Sequence, residues 1–152
     1  MIVYRRARLS DVEEILKLIN KYAEKGLMLP RTRSTLYEGV REFVVAAEND
    51  QIIGTGSLHI VWDNLAEIRA LAVDQSYQSQ GIGRKLVEIL LQEALELHCP
   101  QIFTLTYQLE FFRHLGFTLV DKEQMPQKVW KECINCIKFP NCDENAMILN
   151  LE

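Results

Sequence analysis

Gln78-Ser79-Gln80-Gly81-Ile82-Gly83-Arg84 lies between an apolar run, Ile68 to Val73, and a long amphipathic segment. That order reads as strand, tight glycine turn, helix. It brings a row of free backbone N–H groups and the positive end of a helix dipole to one point, which suits a phosphate-bearing ligand. Gly81 and Gly83 fall in the first turn, where a side chain would block an anion from the amides. Arg84 and Lys85 follow at once, and basic residues in a first turn oppose the dipole unless an anion sits there. No Lys-Ser/Thr pair closes the loop and the GxGxxG spacing is absent, so a nucleotide P-loop and a dinucleotide fingerprint are both disfavoured. On local grounds alone, a glycine turn with no ligand stays open.

Working outward, Val3 to Ala7 reads as a short strand. Ser10 and Glu13 form a capping box for a helix in which Val12, Ile15, Leu16, Ile19 and Tyr22 recur at helical spacing. Gly26 ends it. Leu27 to Arg33 is a loop, and Ser34 caps a short helix through Arg41. Phe43 to Ala47 and Ile52 to Val61 form a hairpin around Asn49-Asp50. Glu67 to Val73 is the strand entering the glycine turn. The helix beyond runs from Gly81 to about Leu97, with Ile82, Leu86, Ile89, Leu90 and Leu97 as its buried stripe. A strand from Ile102 to Thr106, a helix from Gln108 to Leu115 closed by Gly116, and strands Phe117 to Asp121 and Ala146 to Leu151 complete the order. Lys122 to Glu144 is polar. Such an order implies an α/β sheet with helices on both faces.

With 152 residues, 48% hydrophobic and 25% charged, the chain reads as one domain, 1–152, able to bury a real core. The net charge of −4, with no basic run, argues against nucleic acid as partner. No apolar stretch approaches the length of a membrane span and no leader is visible, so a cytoplasmic chain with reduced cysteines is expected. Cys133, Cys136 and Cys142 have C-x2-C-x5-C spacing, with Asp143, Glu144 or His114 as a fourth zinc ligand. The set is incomplete, so packing cysteines and no metal are expected.

Leu71-Ala72-Val73-Asp74-Gln75-Ser76-Tyr77-Gln78-Ser79-Gln80-Gly81-Ile82-Gly83 resembles the core acetyl-coenzyme A motif of the GNAT superfamily of N-acetyltransferases, whose loop reads Gln/Arg-x-x-Gly-x-Gly/Ala. Phe111-Phe112-Arg113-His114-Leu115-Gly116-Phe117 resembles that family's helix end in Leu-Gly-Phe. The likeness runs over nearly the whole chain. It implies the GNAT fold, a mixed, mostly antiparallel twisted sheet with helices on both faces, and acetyl-CoA as acetyl donor. It also implies that Leu71, Ala72, Val73 and the loop residues Gln78, Ser79, Gln80, Gly81, Ile82, Gly83 and Arg84 hold that donor. In the family the strand splays here, and backbone N–H groups at Leu71 and Val73 polarise the thioester.

Acetylating an amine requires a base, a polarised carbonyl and close positioning. Glu67 is placed as the catalytic glutamate of some family members is. It can equally be a strand-end carboxylate paired with Arg69. Many relatives carry a tyrosine where this chain has Phe112, a ring without a proton to give. Tyr107 is the substitute proton donor, or else an interface aromatic. Arg31 and Arg33 suit an acceptor with carboxylates, because a guanidinium fork grips them bidentately; solvated surface arginines remain the alternative.

Gly26 to Arg33, Ala66 to Val73 and Phe103 to Thr106 resemble the acetyltransferase domain of N-acetylglutamate synthases, in its short stand-alone form. That likeness implies an amino-acid acceptor, L-glutamate, bound by Arg31 with Arg33 beside it, and a role in arginine biosynthesis. Asn64, Cys142 and Glu144 depart from the family's other substrate-binding positions, so glutamine and other small amino acids stay open. So do a homodimer, a protein or peptide acetyltransferase, and a non-catalytic acyl-CoA-binding module.

Overall fold

A computed structural model of the chain describes residues 1–121 and 145–151. Among these residues seven strands form one sheet: β1 (Ile2–Arg6), β2 (Phe43–Glu48), β3 (Gln51–Trp62), β4 (Leu65–Val73), β5 (Gln101–Thr106), β6 (Thr118–Val120) and β7 (Asn145–Asn150). Their order across the sheet is β1-β2-β3-β4-β5-β7-β6. Every pairing is antiparallel except β4 with β5, which is parallel. The β2–β3 reversal falls at Asn49 and Asp50, with φ of 53° and 64°. Both central residues of a type I′ loop need the left-handed region, which Asn and Asp enter more readily than most. A second hairpin, Trp62 opposite Leu65, starts β4 two residues before the expected Glu67.

Among the described residues four helices cover the sheet: α1 (Val12–Ala23), α2 (Arg33–Glu38), α3 (Ile82–Glu96) and α4 (Leu109–His114). Alternation along β2 sorts the two faces. Phe43, Val45 and Ala47 pack with Val12, Ile15 and Ile19 of α1 and Leu36 of α2. Val44 and Ala46 join Ile82, Leu86, Val87 and Leu90 of α3 and Phe112 of α4 in the larger core. Helix α3 lies close because β3 has no side chain at Gly54 or Gly56. A Cβ at Gly54 would meet Ile82 and Leu86 at 3.2 Å, and one at Gly56 would meet Leu90 at 3.3 Å. Each Leu seated in this way contributes about 1.5–3 kcal/mol. The buried stripe of α3 differs from expectation at four places, one being Ile89, which is half-buried. Val87 and Ala94 are inside, while Leu97, past the last turn, is 56% exposed.

The expected capping box at Ser10 and Glu13 does not form. Asp11 acts instead: its carboxylate accepts the Arg8 N–H at 2.7 Å and two bonds from Arg5 at 2.7 and 3.1 Å, tying β1 to the start of α1. Those bonds hold the Asp11 carboxyl below its ordinary range. Thr32, not Ser34, caps α2 by accepting the Thr35 N–H at 3.2 Å. Three helices end alike. Behind α1, α3 and α4, the residues Gly26, His98 and Gly116 take φ of 72°, 58° and 98°. The next N–H of each reaches back five residues, from Leu27 to Tyr22, Cys99 to Ala94 and Phe117 to Phe112. These are Schellman closures, in which glycine is the usual left-handed residue.

His98 is the exception among the three, and a side chain with a Cβ is strained in that region. His98→Gly is expected to raise stability by about 1 kcal/mol in urea unfolding. A midpoint unchanged or lowered would show that His98 sits there without strain.

Candidate active site

The parallel ladder between β4 and β5 is short. Ala66 pairs with Ile102 and Glu67 with Phe103, and there it stops. Beyond that point the Ile68 carbonyl accepts the Thr104 hydroxyl at 3.0 Å in place of a strand partner. The parting strands open a cavity of about 760 Å³ lined by both of them, by the loop after β4 and by the end of α1.

A bulge decides what β4 shows to this cavity. Thr55 faces Ala72 while Ser57 faces Arg69, so Ala70 and Leu71 together oppose Gly56. Ala70 carries φ of 55°. Such an extra residue reverses the alternation of the backbone. The Ile68 carbonyl points toward β5, and without a bulge residues 70 and 72 would follow it. Asp74 N–H instead donates to Ile53 of β3 at 2.7 Å, so by alternation Val73 and Leu71 turn their backbone groups toward the cavity. A non-glycine residue at φ of 55° costs on the order of 1 kcal/mol, and at Ala70 the outcome is two re-aimed main-chain donors.

The glycine loop closes one end. Asp74 accepts the Ser76 N–H at 2.9 Å and opens a single 3-10 turn, Gln75–Tyr77. Ser79 and Gly81 then take φ of 68° and 81° to aim the chain into α3. Nothing lies within 4 Å of where a Gly81 Cβ would stand, so its glycine answers to backbone conformation. At Gly83 the reason is contact, since a Cβ would meet the Phe111 ring at 3.3 Å. The first turn of α3 has no acidic residue. Ser79, Gly81, Ile82, Gly83 and Arg84 border the cavity; Gln80 does not. Gln78 turns inward, donating to the Tyr22 hydroxyl at 2.8 Å and to the Val73 carbonyl at 3.3 Å.

The side chains of β4 build the opposite wall. Ala66 and Ile68 pack under α3, so Glu67 and Arg69 project to the other face. Glu67 is 8% exposed and receives the Arg69 Nε–H at 2.6 Å. Burial lifts its carboxyl above the ordinary range, while the charge and hydrogen bond of Arg69 and the charges of Arg31 and His59 pull the other way. Glu67 is thus paired with Arg69, as one of its two readings has it, and it also lines the cavity. His59, its neighbour across the β3–β4 ladder, holds Glu42 at 3.0 Å.

Arg31 reaches the cavity and its N–H is held by Asn20 Oδ1 at 3.3 Å. Arg33 does not join it. Its guanidinium grips Glu13 at 2.9–3.1 Å, with a side chain 62% exposed, on the outer side of α1. Tyr107, just past β5, is half-buried on the cavity wall. Phe112 is core, edge-on to Phe111 and Phe117 at 5.1 and 5.2 Å. Sequence reasoning missed Tyr22 and Lys25 as cavity residues. Tyr22 carried only the signal of a helical stripe, and Lys25 that of a helix-end charge. Among the described residues no group of three His, Cys, Asp or Glu side chains could hold a metal; Cys133, Cys136 and Cys142 lie outside them.

A model of the Acetyltransferase (GNAT) family matches residues 10–117. The chain is 40% identical over 147 residues to an uncharacterized N-acetyltransferase of Chlorobaculum tepidum, spanning 97% of this chain and 95% of that one. It is 42% identical over 133 residues to an amino-acid acetyltransferase of Mycobacterium tuberculosis, spanning 86% and 76%. Among solved structures, a Mycobacterium tuberculosis protein in complex with CoA and NLQ superposes with a TM-score of 0.86 at 37% identity, over 99% of each chain. The N-acetylglutamate synthase of Neisseria gonorrhoeae, complexed with coenzyme A and N-acetyl-glutamate, gives 0.87 over all of this chain and 35% of its own. At 22% identity that likeness is one of fold. The split strands, the re-aimed backbone groups and the open helix start border one cavity, and the solved relatives share the fold. The chain belongs to the acetyltransferase (GNAT) family.

Proposed function

We propose that this enzyme acetylates the α-amine of a small amino acid, with L-glutamate as acceptor, and so serves the first step of arginine biosynthesis. The observation that carries the reading is the meeting of Arg31, Glu67 and the Leu71–Val73 backbone on one cavity. The proposed reaction needs a carboxylate-binding group, a base and carbonyl-directed donors around a common space. The name of the Mycobacterium tuberculosis relative supports an amino-acid acceptor.

Acetyl-CoA supplies an acetyl group activated as a thioester. In this reading the N–H groups of Leu71 and Val73 donate to the donor's carbonyl and pantetheine arm, completing the ladder that β5 abandons. The amides from Ser79 to Gly83, with Arg84, receive its diphosphate at the α3 dipole. Gln78 and Gln80 belong to the same expected set, but Gln78 acts through Tyr22 and Gln80 stays outside the cavity. Arg31 binds the acceptor's carboxylate. Glu67 takes a proton from the acceptor's ammonium, freeing the lone pair that attacks the carbonyl carbon as the carbon–sulfur bond breaks. Tyr107 is the proton donor for the departing sulfur, since Phe112 has none to give, and the second proton that the acylated nitrogen loses restores the Tyr107 hydroxyl.

The base must be unprotonated, and burial raises the Glu67 carboxyl. The acid limb of kcat/KM is therefore expected above the ordinary carboxylate range, with activity falling as pH drops through it. Glu67→Gln should lower kcat about 10²–10⁴-fold and abolish that limb; a variant that keeps the wild-type pH profile would rule Glu67 out as base. Arg31→Ala should raise KM for the amino acid about tenfold or more, consistent with a charge-assisted hydrogen bond, and leave the affinity for coenzyme A as it was. Unaltered KM would remove the acceptor assignment. A screen of the twenty amino acids for thiol release decides the acceptor itself, and faster acetylation of lysine peptides than of any free amino acid would overturn the proposal.

A further inference from the structure

The last turn of α1 touches both halves of the cavity through one residue. On the donor side, the Tyr22 hydroxyl donates to the Val73 carbonyl and accepts from Gln78 at 2.8 Å. That carbonyl faces the cavity, on the strand edge that β5 has left. On the acceptor side, the Tyr22 backbone carbonyl accepts the N–H of Lys25 and of Leu27, both at 3.1 Å. These bonds fix where the segment from Lys25 to Arg31 departs from the helix. Lys25 Nζ stands 5.8 Å from the Tyr22 ring centroid, and Asn20, one half-turn earlier, holds the far end of the segment by its bond to Arg31 N–H. The glycine loop and the arginine segment are 47 residues apart in the chain by their numbers, Arg31 and Gln78, yet both are tied to the end of α1, the loop to Tyr22 and the segment to Tyr22 and Asn20.

We infer that Tyr22 is a positioning residue whose hydroxyl couples the donor loop to the acceptor segment, so that coenzyme A and the amino acid each tighten the binding of the other. The tie is a chain of two hydrogen bonds, Gln78 amide to Tyr22 hydroxyl to Val73 carbonyl. A ligand that orders the loop around Gln78 fixes the Tyr22 ring, and the ring fixes the turn from which Arg31 is carried. Linkage makes this reciprocal: whatever factor coenzyme A adds to acceptor affinity, the acceptor adds to coenzyme A. The choice of acceptor probe rests on the function proposed above; the tie itself does not.

The test is calorimetric. Kd for L-glutamate is measured without and with saturating coenzyme A, in the wild type and in Tyr22→Phe, which deletes one oxygen and keeps the ring. The wild type should bind the acceptor at least fivefold more tightly when coenzyme A is present, within the range usual for coupled sites. In Tyr22→Phe that ratio should fall to within twofold of one. Tyr37→Phe, which removes a hydroxyl bonded to Glu13 outside the cavity, should keep the wild-type ratio. A wild-type ratio near one, or an unchanged ratio in Tyr22→Phe, overturns the inference. Should Tyr22→Phe fail to fold, Gln78→Met breaks the other bond of the same chain and is held to the same criterion. If the wild type does not bind glutamate at all, the acceptor assignment fails and the same titrations are run with the amino acid that the acetylation screen returns.

Discussion

A buried peptide group needs a hydrogen-bond partner, and the parting of β4 from β5 withdraws partners from half of β4 at the centre of the sheet. Much of the surrounding structure answers that need. Thr104 lends its hydroxyl to the first abandoned carbonyl, that of Ile68, and Tyr22 lends its own to the last, that of Val73. Between them the bulge at Ala70 turns Leu71 and Val73 toward the gap. In the reading proposed for this enzyme, the remaining demand is met by the acetyl donor, which takes a strand's place between two strands.

The same bulge sorts what stands on either side of the gap. Up to Arg69, strand β4 sends polar side chains, Glu67 and Arg69, to the face that carries α1. After Ala70 it contributes main-chain groups, while the side chains of Leu71 and Val73 pack with the α3 core. A single strand thereby supplies the wall with ionisable groups and the wall with amide donors. Burial and ion pairing act on Glu67 in opposite directions, and burial prevails.

Much of this was legible in the chain. Alternation in β2, the Asn49-Asp50 turn, the α3 periodicity and the glycines behind α1 and α4 are local signals, and the elements formed where those signals stood. Glu67 and Arg31 were placed on one site by resemblance, and the cavity joins them. What the sequence hid depended on partners remote in the chain. Arg33 looked like a second carboxylate ligand until Glu13, 20 residues away, was seen to occupy it. Ser10 looked like a cap, but Asp11 had Arg5 within reach. Gly83, read as an opening for an anion, is also a seat for Phe111. Tyr22 bore no mark apart from its place in a hydrophobic stripe, because the carbonyl it satisfies is orphaned only by a strand separation that no local pattern encodes.

The division of labour along β4 bears on how such a chain can change over time. The proposed donor contacts are main-chain groups, which nearly any residue compatible with the bulge would present equally well. The proposed acceptor contacts are side chains, each replaceable by a single substitution. A lineage built on this strand can therefore drift from one amine to another without having to rediscover how to hold its acetyl donor.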